Sequence, residues 1–180
     1  MILIINICKE KLHYFEFVKP IEDILKNNNI KFFTKDYTLI NKEDLKKANK
    51  VIICGTSLKN NKFIEDLDKF SWIEEFNKPI LGICGGMQII LLLYGGELKK
   101  EKEIGFSKEN FKKEFLGVEG EVEVYHLHNN SVDFFWGRHF DVFSSGKIVQ
   151  AIKHKEKEIY GVLFHPEVRN KQMILEFVRR

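Results

Sequence analysis

The sequence predicts an α/β protein with a doubly wound, mostly parallel sheet and added antiparallel strands in its second half. Three observations predict it. Strand-like and helix-like segments alternate through the first 98 residues, the pattern of βα units that feed a parallel sheet. The strand segments are continuously apolar, as strands covered by helices on both faces must be. Beyond residue 120 the segments shorten to strand-like pieces separated by turn residues, the mark of antiparallel additions.

The elements follow in order. MILIINI at 1–7 is an apolar run suited to a buried parallel strand. HYFEFVKPIEDILKNNN at 13–29 has helical apolar spacing, with Pro20 as a kink or a second start and Asn27 to Asn29 as its end. IKFFTKDY is a second strand, and NKEDLKKA a short helix capped by Asn41. VIICG at 51–55 is a third strand. NKFIEDLDKFSWIEEFN reads as one amphipathic helix burying Phe63, Leu67, Phe70, Ile73 and Phe76. PILGIC is a fourth strand and GGMQIILLLYGG the helix after it. Residues 99–120 read as loop-rich, with KKEKE at 99–103 a solvated loop. EVEVYHLH, FDVFSS, KIVQAIKHK and IYGVLFH are short strands, and NKQMILEFVRR is a closing helix. With no internal repeat or linker-like segment, residues 1–180 read as a single domain.

Composition narrows the function classes. A net charge of +3 implies no field suited to nucleic acid or to a membrane surface. No run reaches the roughly 20 apolar residues of a membrane span, and the N-terminal segment reads as a strand without a basic leader. Cys8, Cys54 and Cys84 are odd in number and lack metal-ligand spacing, so a reducing cytoplasmic setting is expected. Cys8 and Cys54, at strand ends, read as core. His126 and His128 alternate on a strand, but no carboxylate or cysteine stands near them at ligand spacing, so no metal and no cofactor is expected. Trp72 and the aromatic run FFWGRHF, which holds Trp136, Arg138 and His139, read as core or interface.

The chemistry concentrates at two places. In Gly82-Ile-Cys84-Gly85-Gly86 a cysteine sits where an apolar strand turns into an apolar helix. A sharp elbow there lifts one side chain above the carboxyl edge of the sheet, and the positions two residues either side must be small. The helix that begins after Cys84 turns free N–H groups and the positive end of its dipole toward the sulfur, which favours negative charge there. The alternative is a glycine-rich turn around a small buried cysteine. In Tyr160-Gly-Val-Leu-Phe-His165-Pro-Glu167 a strand ends in a histidine, and a carboxylate follows two residues later. On extended backbone these two side chains point the same way. The pair can serve as a base and its orienting group; an isolated surface histidine is the alternative.

Gly82-x-Cys84-x-Gly86-x-Gln88, together with Gly161-Val-x-Phe-His165-Pro-Glu167, resembles the class I, or triad, glutamine amidotransferases. The resemblance spans nearly the whole chain, and IKHKEKEIYGVLFHPEV is similar to the glutaminase subunits of two-subunit GMP synthases. It implies a flavodoxin-like fold and glutamine hydrolysis, with Cys84 as nucleophile, His165 as acid and base, and Glu167 orienting it. It implies an oxyanion hole at the backbone of Gly55 and Gly85, and a glutamine pocket that includes Gln88, His128 and Asn129. Three departures stand out: CGTSLKNN carries one glycine where the family commonly has two and a proline, Leu163 replaces a glutamine, and LHNN replaces a Ser-His-x-Asp pattern. No Walker-type phosphate loop is present. The ammonia acceptor is therefore expected on a separate synthetase subunit, GMP synthase being one candidate. Two other readings are a stand-alone thiol hydrolase acting on γ-glutamyl amides and a regulatory subunit that binds glutamine without turnover.

Overall fold

The computed structural model describes residues 1–135 and 137–180, so Trp136 lies outside the described residues. The main sheet uses β1 (Ile2–Asn6), β2 (Phe32–Asp36), β3 (Lys50–Ile53), β4 (Ile80–Ile83), β7 (Phe140–Val142), β8 (Ala151–His154) and β9 (Ile159–Val162). A separate ribbon pairs β5 (Glu97–Phe115) with β6 (Val118–Asp133). The strand order in the main sheet is β2-β1-β3-β4-β9-β8-β7. The first five are mutually parallel, while β8 and β7 add antiparallel at one edge. This is the doubly wound, flavodoxin-like architecture with antiparallel additions expected from the sequence.

Period-two alternation divides the core between the two faces of the sheet. On β1, Ile2 and Ile4 join a cluster with Ile21, Leu25, Met173 and Phe177. Leu3 and Ile5 join the opposite cluster with Phe63, Phe70, Ile89 and Ile90. The first cluster is covered by α2 (Lys19–Asn27) and α7 (Lys171–Arg179) and the second by α6 (Gly85–Leu93), with the short helices α4 (Lys62–Glu65) and α5 (Trp72–Glu75) beside it. Both faces of the central parallel strands β1, β3, β4 and β9 are thus covered, which is why they read as apolar runs, while the edge strand β2 is half-buried.

Local signals account for most element boundaries. Asn41 caps α3 (Lys42–Lys47) through a capping box with Asp44, satisfying two otherwise orphan N–H groups. The first helical stretch begins with α1 (Lys11–His13), passes through a π-helical turn over Tyr14–Val18, and resumes as α2 with Pro20 in its first turn. Proline lacks the N–H that a helix interior needs, and Pro20 comes just after the π-helical turn, in the first turn of α2.

Two expectations are corrected. The stretch 62–76 is not one helix: a 3-10 turn over Leu67–Phe70 separates α4 from α5. Phe63, Phe70 and Ile73 are still buried, with Leu67 and Phe76 half-buried against the same cluster. Residues 99–120 are not loop-rich. They form most of β5, the tight turn at Leu116-Gly117 (φ 48° and 82°) and the start of β6. Two successive positive-φ residues match the right-handed twist of the strands they join. The lysines of KKEKE are exposed, but the stretch lies within β5 and its Glu101 and Glu103 are half-buried.

Candidate active site

The main-sheet strands that lead to the site do so at the carboxyl edge of the sheet, while His128 and Asn129 come from β6 of the ribbon. Cys8 follows β1, Gly55 follows β3, Cys84 follows β4 and His165 follows β9. In open α/β sheets this edge is where ligands bind.

The elbow is strained at the cysteine. Cys84 has φ 49° and ψ −104°, a conformation that costs a residue with a Cβ on the order of 1–3 kcal/mol. It is held from both sides, since its N–H donates to the Val162 carbonyl at 2.7 Å and its carbonyl accepts the first helical bond from Gln88 at 3.0 Å. The flanking glycines permit the turn. A Cβ on Gly82 would lie 2.6 Å from the Gly86 carbonyl carbon and oxygen, and one on Gly86 would strike the Ile53 carbonyl. Gly85 opens α6 directly after Cys84.

His165 and Glu167 come together as their spacing implied. His165 Nδ1–H donates to Glu167 Oε1 at 2.7 Å, with both side chains almost fully buried. The backbone N–H of His165 donates to the Tyr125 carbonyl at 2.8 Å, and the Phe17 ring lies 5.3 Å from the imidazole. Burial disfavours the charged imidazole, but the negative charges of Glu167 and Cys84 outweigh it and hold its pKa well above the usual histidine value. Among the described residues, His165 Nε2 and Glu167 Oε2 make no hydrogen bond. Gly55 sits between thiol and imidazole: a Cβ there would lie 2.5 Å from His165 Cε1 and 3.2 Å from Cys84 Cβ.

The other two thiols are different in kind. All three cysteines are free and buried. Burial pushes the Cys8 thiol up to about 11, and Cys54, wholly enclosed, is pushed well above its ordinary value. Cys8 Sγ points to the Gly55 carbonyl at 3.7 Å.

Two spaces adjoin the site. An open cleft of about 680 Å³ reaches His165 and Glu167 between Glu16, Phe17, Leu58 and Tyr125. Beside Cys84 a narrow space of about 20 Å³ is walled by the 56–61 loop, Gln88 and the β6 segment 127–130. Its walls are tied together. Asn129 Nδ2 donates to the Leu58 carbonyl at 3.0 Å, Gln88 Nε2 donates to the Asn130 carbonyl at 2.7 Å, and Cys84 Sγ faces the Leu127 carbonyl at 3.7 Å. The structure therefore brings Gln88, His128 and Asn129 around Cys84. The imidazole of His128 is turned away to Glu101 and Glu103, so both its nitrogens are engaged outside the space beside the thiol.

Sequence reasoning missed Phe17 and Tyr125 in the open cleft, and the carboxylate beside the two alternating histidines. Glu103 stands 25 residues from His128, and strand pairing places the two directly opposite. Trp72 packs half-buried on the core, and Phe134 and Phe140 pack in the same cluster, whereas Phe135 is 87% exposed.

A doubly wound sheet with a cysteine on the elbow after a central strand, and a buried imidazole–carboxylate pair on the next, defines a class of α/β proteins organised around one thiol. The model of the family described as glutamine amidotransferase class-I matches residues 13–180, and the chain belongs to that family. A subunit of the glutamine-hydrolyzing GMP synthase from Methanococcus aeolicus is 40% identical over 108 residues, covering 56% of this chain and 57% of that protein. A glutamine-hydrolyzing GMP synthase from Spiroplasma kunkelii is 34% identical over 113 residues, 58% of this chain but 22% of that protein. The chain thus matches about half of the former and about a fifth of the latter. The solved structure of a GMP synthase subunit protein from Thermoplasma acidophilum superposes with a TM-score of 0.86, covering 99% of this chain and 92% of that one at 23% identity. At that identity the likeness concerns the fold. Among the described residues no helix is long and apolar enough to cross a membrane.

Proposed function

We propose that this chain hydrolyses glutamine through Cys84, His165 and Glu167 and passes the ammonia to a separate synthetase chain. The observation that carries the reading is the buried 2.7 Å bond between His165 Nδ1 and Glu167 Oε1 beside a thiol held on a strained elbow. Cys84 Sγ attacks the side-chain carboxamide carbon of glutamine. The backbone N–H groups of Gly85 and Gly55 receive the negative charge that develops on the oxygen. His165, carrying the proton taken from the thiol and held in place by Glu167, gives it to the departing nitrogen, which leaves as ammonia. His165 then takes a proton from water, which attacks the thioester and releases glutamate and the free thiol. Cys8 and Cys54 are unsuited to the nucleophilic role because burial keeps their thiols protonated.

The acceptor reading rests on the names of the relatives, which are GMP synthases and subunits of GMP synthases. The narrowness of the space beside Cys84 supports partner dependence. At about 20 Å³ it has room for roughly one water, so glutamine enters only after the 56–61 loop and the 127–130 segment part. A synthetase docking over this edge would supply that opening.

The test is steady-state glutaminase kinetics of the purified chain, with and without a cognate synthetase and its nucleotide. Cys84→Ala and His165→Ala should each lose on the order of 10⁴-fold or more in kcat, and Glu167→Gln less, because it orients and transfers no proton. Near wild-type turnover by His165→Ala would refute the triad. Full activity of the isolated chain, unchanged by the partner, would favour the stand-alone hydrolase.

A further inference from the structure

The inward face of the β5–β6 ribbon carries a second cluster of titratable groups, distinct from the Cys84 site. The β5 side supplies Glu101, Glu103 and Glu109, and the β6 side His126 and His128. Pairing slips by one residue between Lys100 and Glu103, a bulge of the kind that re-aims side chains beside functional sites.

The hydrogen bonding of the cluster does not close. His128 Nδ1 lies 3.1 Å from the Glu101 carbonyl oxygen and His128 Nε2 lies 3.0 Å from Glu103 Oε2. Both oxygens only accept, and a neutral imidazole has one proton to offer them. His126 repeats the pattern. Its Nδ1 is 3.6 Å from Glu103 Oε2 and its Nε2 is 3.2 Å from Glu109 Oε1. Among the described residues neither nitrogen makes a hydrogen bond, although the ring is 2% exposed. A buried polar group left in this way is costly unless something else satisfies it. Protonating both rings would place two buried positive charges with ring centroids 5.8 Å apart.

We propose that Glu103, His126 and His128 bind a divalent transition-metal ion of the zinc type at the root of the ribbon. The candidate ligand atoms of the three residues all lie within 4.8 Å of one another. The separations from Glu103 Oε2, 3.0 Å to His128 Nε2 and 3.6 Å to His126 Nδ1, bracket the roughly 3.3 Å between ligands of a tetrahedral site with bonds of about 2.0–2.1 Å. An ion there leaves each imidazole one N–H to place and removes the mismatch at both rings. His128 then keeps its Nδ1–H on the Glu101 carbonyl, and His126 turns its Nε2–H to Glu109, the carbonyl and carboxylate partners that metal-bound histidines regularly have. Gln150 Nε2 donates to Glu103 Oε2 at 2.6 Å and would hold the third ligand. Two imidazoles and one carboxylate suit zinc in preference to magnesium or calcium, which select oxygen. The ion would pin the strand segment that closes over Cys84, since Leu127 and Asn129 flank His128.

The inference does not depend on glutamine hydrolysis and is tested apart from it. Tag-free Cys84→Ser chain, stripped with chelator, removes the active-site thiol as a competing ligand. Zinc titration by calorimetry should give one saturable site, and cobalt should give the visible bands of a tetrahedral nitrogen/oxygen site without thiolate charge transfer. Glu103→Gln and His126→Asn, checked for folding by circular dichroism, should abolish saturable binding. Glu109→Gln, a milder change, should weaken it about 10- to 100-fold. Should the ligand variants fail to fold, the cobalt spectrum and the Glu109→Gln titration still decide. Absence of a saturable site, an octahedral or thiolate spectrum, or affinity unchanged in these variants would overturn the proposal and leave the cluster as an ion-pair network.

Discussion

Replacing Cys84 by glycine should remove the proposed nucleophile at a smaller cost in stability than replacing it by alanine. The reason lies in the backbone at the elbow. At φ 49° and ψ −104° a residue with a Cβ carries on the order of 1–3 kcal/mol of strain, and glycine carries almost none. Against that gain, glycine has more conformational freedom to lose on folding, about 0.5–1 kcal/mol relative to alanine. Both variants lose the same buried sulfur, so that term cancels between them. Cys84→Gly should therefore be more stable than Cys84→Ala by roughly 0–2.5 kcal/mol, the difference of those ranges. In most helical positions the order is reversed. The assay is urea unfolding followed by circular dichroism, with midpoints compared at a common m-value. Glu10, the exposed cap of α1 at φ −96°, gives the unstrained reference for the same pair of substitutions. A Cys84→Gly chain less stable than Cys84→Ala by the ordinary glycine penalty would show that the elbow stores no strain.

Two further outcomes follow from the site. The pKa of His165 is raised in the folded chain, so its protonation stabilises the fold fully below the unfolded value of about 6.5 and the benefit is lost as pH rises through the folded value. The stability difference between wild type and His165→Gln should shrink as pH is raised from about 6.5, and a difference that is constant or grows would contradict the assignment. Asn129→Ala removes the bond to the Leu58 carbonyl that ties the two walls over Cys84. It should cost about 0.5–1.5 kcal/mol in stability and speed alkylation of Cys84 by a glutamine-like electrophile, and an unchanged labelling rate would show that this bond does not gate access.

The parts of the site that lie within a few residues of one another were legible in the chain itself. Gly82, Cys84 and Gly86 sit within five positions, and the steric demand of an elbow is met or failed locally. His165 and Glu167 are two apart on extended backbone, so their shared direction follows from strand geometry alone. The apolar runs of β1, β3, β4 and β9 announced a parallel core for the same reason, because burial on both faces leaves its record in every residue of the strand.

Where the determining contact is distant, the tertiary structure decided the outcome. The stretch 62–76 has helical apolar spacing, yet its run is broken so that Phe63, Phe70 and Ile73 reach one packed surface. The β5 strand carries mostly exposed residues and no apolar period, and its extended form is secured by pairing with β6, whose partner residues lie up to 36 positions away. His128 lines the space beside Cys84, but only strand pairing sets Glu103 opposite it and engages its imidazole there. The sequence by itself determined the frame around Cys84, the histidine–glutamate pair and the parallel sheet, since each is a short-range consequence of sterics and burial. Only the folded chain determined the narrow space beside Cys84 and the Glu103–His126–His128 cluster, since both arise from strand register and from hydrogen bonds between segments that no local pattern relates.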